Sequence, residues 1–109
     1  MASPAEKTGY TFADCLGWDE KERAEIIGGK VLMMAPPSRI HQKISGEIFR
    51  QLANFLEGKR CEVYSAPFGV RLFEKDGDRP EDVDTVVEPD ITVVCDTSRL
   101  DQHGCKGAP

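Results

Sequence analysis

Several features that would commit a small protein to a particular setting are missing from this 109-residue chain. No apolar run approaches the length of a membrane span, and the N-terminus lacks the basic-then-apolar build of a signal peptide, so a cytoplasmic location and no membrane partner are expected. The four cysteines, Cys15, Cys61, Cys95 and Cys105, contain no CxxC pair, which argues for reduced thiols and against a zinc knuckle. A looser grouping, Cys95 with His103 and Cys105, suits no common zinc module and reads as core or loop residues. Positive charge is also short: 14 Lys and Arg face 19 Asp and Glu, for a net charge of −5, and the protein as a whole is a poor non-specific polyanion binder. The balance counts against nucleic acid without excluding it, since metal-dependent nucleases carry acids at the site and can confine their basic residues to one groove. Arg39, Lys43, Arg50, Lys59 and Arg60 are the candidates for that groove, and their plainer reading is a solvated helix face. The length suffices for one domain and not for two.

What is present has a clear order. Residues 1–9 read as a loose leader. Thr11 with Asp14 forms a capping-box pattern that starts a short helix from Phe12 toward Leu16, Gly17 ends it, and Trp18 anchors it ahead of a charged turn or further helical turn over residues 19–23. Glu25-Ile26-Ile27, Gly28-Gly29 and Lys30 to Met34 predict a β-hairpin, because two glycines supply the positive φ angles of a tight primed turn. Ala35-Pro36-Pro37 stops the second strand, and Ser38 is placed to cap the longest helix, whose Ile40, Ile44, Ile48, Leu52, Phe55 and Leu56 stripe is expected to bury against a sheet. Gly58 closes that helix, with Lys59 and Arg60 complementing its dipole. Strands are predicted at Cys61 to Ser65 and Phe68 to Phe73. In the second, Arg71 projects opposite to Val70 and Leu72, as an exposed residue or a phosphate contact. Glu74 to Asp84 reads as a long acidic loop without a calcium pattern, and Asp96 to Pro109 as a closing loop.

Between those loops lies Val86 to Cys95, a predicted β-strand with an acid at its mouth. Pro89 has no N–H to donate and stands at the strand's start, so Asp90 sits where a sheet opens to water. A carboxylate there is either a capping or turn residue or a ligand for a hard cation, since Mg²⁺ takes oxygen donors and leaves positions for water and phosphate. His41 falls on the apolar arc of the long helix in its first turn. It is either a histidine hydrogen-bonded at a helix start or a residue of a site at the sheet mouth. Gln51 and Glu47, near the same face, read as structural or surface residues. The whole describes an α/β (α+β) fold with a mixed sheet packed on one long helix. An unprotected strand edge at its end invites pairing.

Glu25-Ile26-Ile27-Gly28-Gly29, Met33-Met34-Ala35-Pro36-Pro37-Ser38 leading to His41-Gln42, and Val86-Val87-Glu88-Pro89-Asp90-Ile91 together resemble the Uma-type restriction endonucleases of the PD-(D/E)XK nuclease superfamily. Gly28 stands where that family is expected to carry Asp. The resemblance implies a restriction-endonuclease-like core and metal-dependent hydrolysis of phosphodiester bonds in DNA, with Mg²⁺ (or Mn²⁺) as cofactor. It carries over Asp90 as a metal ligand, and His41 and Glu25 as supporting site residues. It also implies a further strand after Gly107-Ala108-Pro109 bearing a second acid, followed by Ser-Pro and a Lys, so the chain is expected to be the N-terminal part of such a domain, with weak metal binding and little turnover on its own. The alternative, from a different class, is a non-catalytic interaction module or remnant whose open sheet edge pairs with a partner or, as a homodimer, with a second copy.

Overall fold

The computed structural model of the chain describes residues 9–19 and 23–109; the expected leader, but for Gly9, and the middle of the turn at 19–23 lie outside the described residues. Helix α1 spans Phe12–Cys15, and the Asp14 carboxylate accepts from the Thr11 N–H at 2.9 Å, as the capping pattern predicts. Trp18 packs edge-on to Tyr10, with ring centroids 6.0 Å apart. Strands β1 (Ala24–Ile27) and β2 (Lys30–Met33) form the expected antiparallel hairpin, and the turn glycines Gly28 and Gly29 have φ of 56° and 82°. Helix α2 runs from Arg39 to Leu56. The Ser38 hydroxyl caps it by accepting from the His41 N–H at 3.0 Å, and at its other end Lys59 Nζ donates to the Phe55 carbonyl at 2.8 Å.

Strands β3 (Glu62–Ser65) and β5 (Ile91–Val94) pair antiparallel, with Glu62 opposite Val94 and Ser65 opposite Ile91. A second sheet holds β4 (Val70–Arg71), β7 (Gly104–Lys106) and β6 (Leu100–Asp101) in the order β4-β7-β6, with β7 parallel to β4 and antiparallel to β6. Val70, Val94 and Cys105 form the buried centre between these sheets, flanked by Tyr64, Phe68, Leu72, Val87 and Leu100. The fold is therefore the expected mixed α/β domain, but several local expectations need correction.

The strand predicted from Val86 to Cys95 is divided. Val86 bridges to Ile26 of the hairpin and Val87 to Val70 of β4, and only beyond Pro89 does the chain join β3 as β5. Pro89 cannot continue a ladder, so the segment changes partners there. The strand predicted over Phe68 to Phe73 is confined to Val70 and Arg71, since Phe73 takes φ of 67° and turns the chain away. The predicted closing loop contains a 3₁₀ turn at Thr97–Arg99 and the β6–β7 hairpin. These elements are too short to show a period.

Of the apolar stripe predicted for α2, only Leu52 and Leu56 are used. His41, Ser45, Phe49, Leu52 and Leu56 form the half-buried face over β3, whereas Ile40, Ile44, Ile48 and Phe55 remain 46–66% exposed. At 100° per residue these two rows are centred about 100° apart on the helix, and a sheet two strands wide reaches only one of them. Finally, Cys61 and Cys95 are not reduced thiols: they form a disulfide. They occupy the next pair in the β3–β5 register, and that pairing, rather than a sequence motif, brings them together. Cys15 and Cys105 are free.

Candidate functional site

A groove of about 370 Å³ opens between the first turns of α2 and the mouth of β5. Its walls include His41, Gln42 and Ser45 from the helix, Ser65 to Pro67 at the end of β3, Arg23 before β1, and Asp90. Local chemistry puts each residue there. Ser38 fixes the start of α2, which sets His41 in the first turn. Pro89 forces the change of strand partner, and the Asp90 carbonyl then accepts from the Ala66 N–H at 3.0 Å, adding one pair to the β3–β5 ladder and locking the position of Asp90 at its end.

Two of the residues singled out from sequence meet directly. His41 Nε2 lies 3.1 Å from Asp90 Oδ2, with the histidine one-third and the aspartate two-thirds open to solvent. Glu25 is elsewhere. Its carboxylate accepts from the Glu88 N–H at 2.9 Å and does not line the groove, so it braces the backbone two residues ahead of Asp90. The residue that sequence reasoning passed over is Arg23, assigned there to a charged turn. Its Nε is 3.5 Å from a Glu88 carboxylate oxygen, is buried without a hydrogen-bond partner, and belongs to a side chain on the groove wall. No local signal marked it, because its partner Glu88 lies far along the chain.

No group of three His, Cys, Asp or Glu side chains able to hold a metal ion occurs among the described residues. The groove offers a single carboxylate, Asp90, and no all-protein cage for a metal ion. The grouping Cys95, His103 and Cys105 is no ligand set: Cys95 is in the disulfide, and Cys105 is buried in the core. The helix-borne basic residues do not gather in the groove. Arg50 is bound by Glu47 at 3.0 Å, and none of Arg39, Lys43, Lys59 or Arg60 lines it.

Behind Glu88 a second groove contains Cys15. Burial, reinforced by the charges of Asp14 and Glu88, pushes its thiol up to about 12. At pH 8 roughly one molecule in ten thousand would carry the thiolate there, so iodoacetamide should leave Cys15 unlabelled over hours in the native protein and label it within minutes in denaturant, as peptide mass mapping will report. Rapid native labelling would contradict this environment.

Among the described residues no helix is long and apolar enough to cross a membrane. No curated protein matches the chain. The Uma2 family, described as "Putative restriction endonuclease", matches residues 12–109, nearly the whole chain and all of the elements that build the groove. With its mixed α/β architecture and the Pro-Asp strand mouth in place, the chain belongs to the Uma2 family.

Proposed function

We propose that the groove is the metal- and phosphate-binding end of a divalent-cation-dependent DNA endonuclease that hydrolyses phosphodiester bonds. The observation that carries this reading is the contact of His41 with Asp90 in an open groove at a strand mouth. Asp90 would hold Mg²⁺ or Mn²⁺. One of its oxygens faces His41, and the other has no partner among the described residues. When bound, such a cation polarises a phosphoryl oxygen and lowers the pKa of a bound water. His41 fixes the orientation of the carboxylate and can take up or deliver a proton within the groove. Arg23, whose planar guanidinium matches a phosphate's oxygens, can anchor the DNA backbone, and its tie to Glu88 keeps it at the wall. Glu25 acts through Glu88 and is a positioning residue.

The test is Mn²⁺ binding by calorimetry, with cleavage of supercoiled plasmid as a second readout. Asp90→Ala should weaken Mn²⁺ by at least about tenfold and lower any cleavage rate by about a hundredfold, since a first ligand is worth more than its supporting shell. Equal binding and cleavage by both proteins would remove Asp90 from the chemistry.

One observation favours a second reading, an interaction module. Ile40, Ile44, Ile48 and Phe55 form an exposed apolar row, and β5 has one strand partner among the described residues. A homodimer by light scattering that Ile44→Glu dissociates would support it, and a monomer at high concentration would count against it.

A further inference from the structure

The β3–β5 ladder is four residue pairs long, and neither strand has another strand partner among the described residues. A two-stranded unit of that size is marginal in water without added support. At one end it carries the candidate site, where the Ala66 N–H donates to the Asp90 carbonyl. At the other end the next pair in register is Cys61 with Cys95, joined by a disulfide. Hydrogen-bonded and non-hydrogen-bonded pairs alternate along an antiparallel ladder, so counting from the hydrogen-bonded Ala66–Asp90 pair makes Cys61–Cys95 a non-hydrogen-bonded pair, the kind whose side chains approach most closely. The ladder thus ends in a covalent bond on one side and in the groove on the other. Cys95 is exposed, so a small thiol can reach the bond.

We infer that the Cys61–Cys95 disulfide is a redox latch on the groove: intact, it holds β5 against β3 and keeps Asp90 opposite Ala66 and beside His41; reduced, it lets the two-stranded unit open and the carboxylate lose its place. The exchange is balanced by a cellular dithiol. Its thiolate attacks the exposed Cys95 sulfur, Cys61 leaves as thiolate and is protonated, and the second thiol of the reductant then displaces Cys95. Two electrons and two protons pass to the protein, and the dithiol becomes a cyclic disulfide. The latch itself is a property of the ladder. Only its consequence for the site rests on the reading of Asp90 as a metal ligand.

The experiment compares the full chain in oxidised form, after dithiothreitol, and as the Cys61→Ser/Cys95→Ser double variant. Alkylation in denaturant should label two cysteines in the oxidised protein and four after reduction. On reduction, amide hydrogen exchange over residues 62–66 and 90–94 should quicken by about tenfold or more, and Tm should fall by about 10 °C or more. Mn²⁺ affinity should drop by about tenfold and return on reoxidation, while the double variant should match the reduced protein with or without reductant. Four labels without reductant, or unchanged exchange in those segments, overturns the latch. Faster exchange with unchanged Mn²⁺ affinity overturns the control of the groove. If the oxidised protein does not bind Mn²⁺, the metal-site reading fails, and the exchange data still decide the latch.

Discussion

Arg71→Met should destabilise the protein by about 3 kcal/mol, read as a urea-midpoint shift with unchanged slope and a fall in Tm of about 15 °C. Arg71 is 2% exposed. Its Nε donates to Glu74 at 2.9 Å, its terminal nitrogens donate to Asp101, and its guanidinium lies 4.8 Å from the centre of the Phe12 ring. Removing it leaves Glu74, itself about 10% exposed, without its cation, and uncouples α1 from the β4–β7–β6 sheet. The lower end of the range for broken buried pairs applies because Asp101 is nearly half open to water. A loss under 1 kcal/mol would mean that the network contributes specificity without stability. The same network sets an acid limit. Burial pushes the Asp101 carboxyl up, but the Arg71 guanidinium and the His103 N–H more than offset it and hold the group below its ordinary value. A depressed carboxyl contributes stability at pH above its unfolded-state value of about 3.9, and the contribution is lost as pH falls through the lower folded-state value. The stability gap between the native protein and Asp101→Asn should therefore be constant near neutrality and close below about pH 4.

Gly104→Ala should cost about 3 kcal/mol or more and can prevent folding altogether. Gly104 has φ of 127°, and a Cβ placed on it would lie 2.0 Å from the Gly69 carbonyl oxygen, which accepts from the Cys105 N–H at 2.9 Å. Both backbones are committed to that contact, so neither can retreat without breaking the β4–β7 pairing that buries Val70 and Cys105. Gly46→Ala provides the contrast. A Cβ there meets nothing within 4 Å, and in mid-helix the change should stabilise by about 0.5–1 kcal/mol. Equal thermal stability of the two variants would show that the Gly69–Gly104 approach is dispensable.

Features read correctly from sequence share one property: short-range chemistry decides them. The Gly28-Gly29 hairpin, the Ser38 cap with its long helix, and the Pro89 stop before Asp90 each depend on residues within a turn or two of one another. The same locality made Asp90 and His41 recognisable as candidates, one at a strand mouth and one at a helix start. Their contact at 3.1 Å depends on how α2 lies over β3. Arg71 shows the limit. Its alternation with Val70 suggested water or phosphate on its far side, whereas Asp101, thirty residues later, turns that side into a buried ion network. Arg23 and Glu25 show it again, because both act on Glu88, more than sixty residues away.

By itself the sequence determined the first hairpin, the long helix with its cap, the carboxylate at the strand mouth and the family resemblance, because propensity, capping and proline geometry act locally. Only the tertiary structure decided that Cys61 meets Cys95, that Arg71 is buried, that most of the α2 stripe stays in water, and that Glu25 braces the groove from outside it. Each of these depends on strand register and on the roll of a helix over a two-stranded sheet, which are settled by pairing and packing between distant segments.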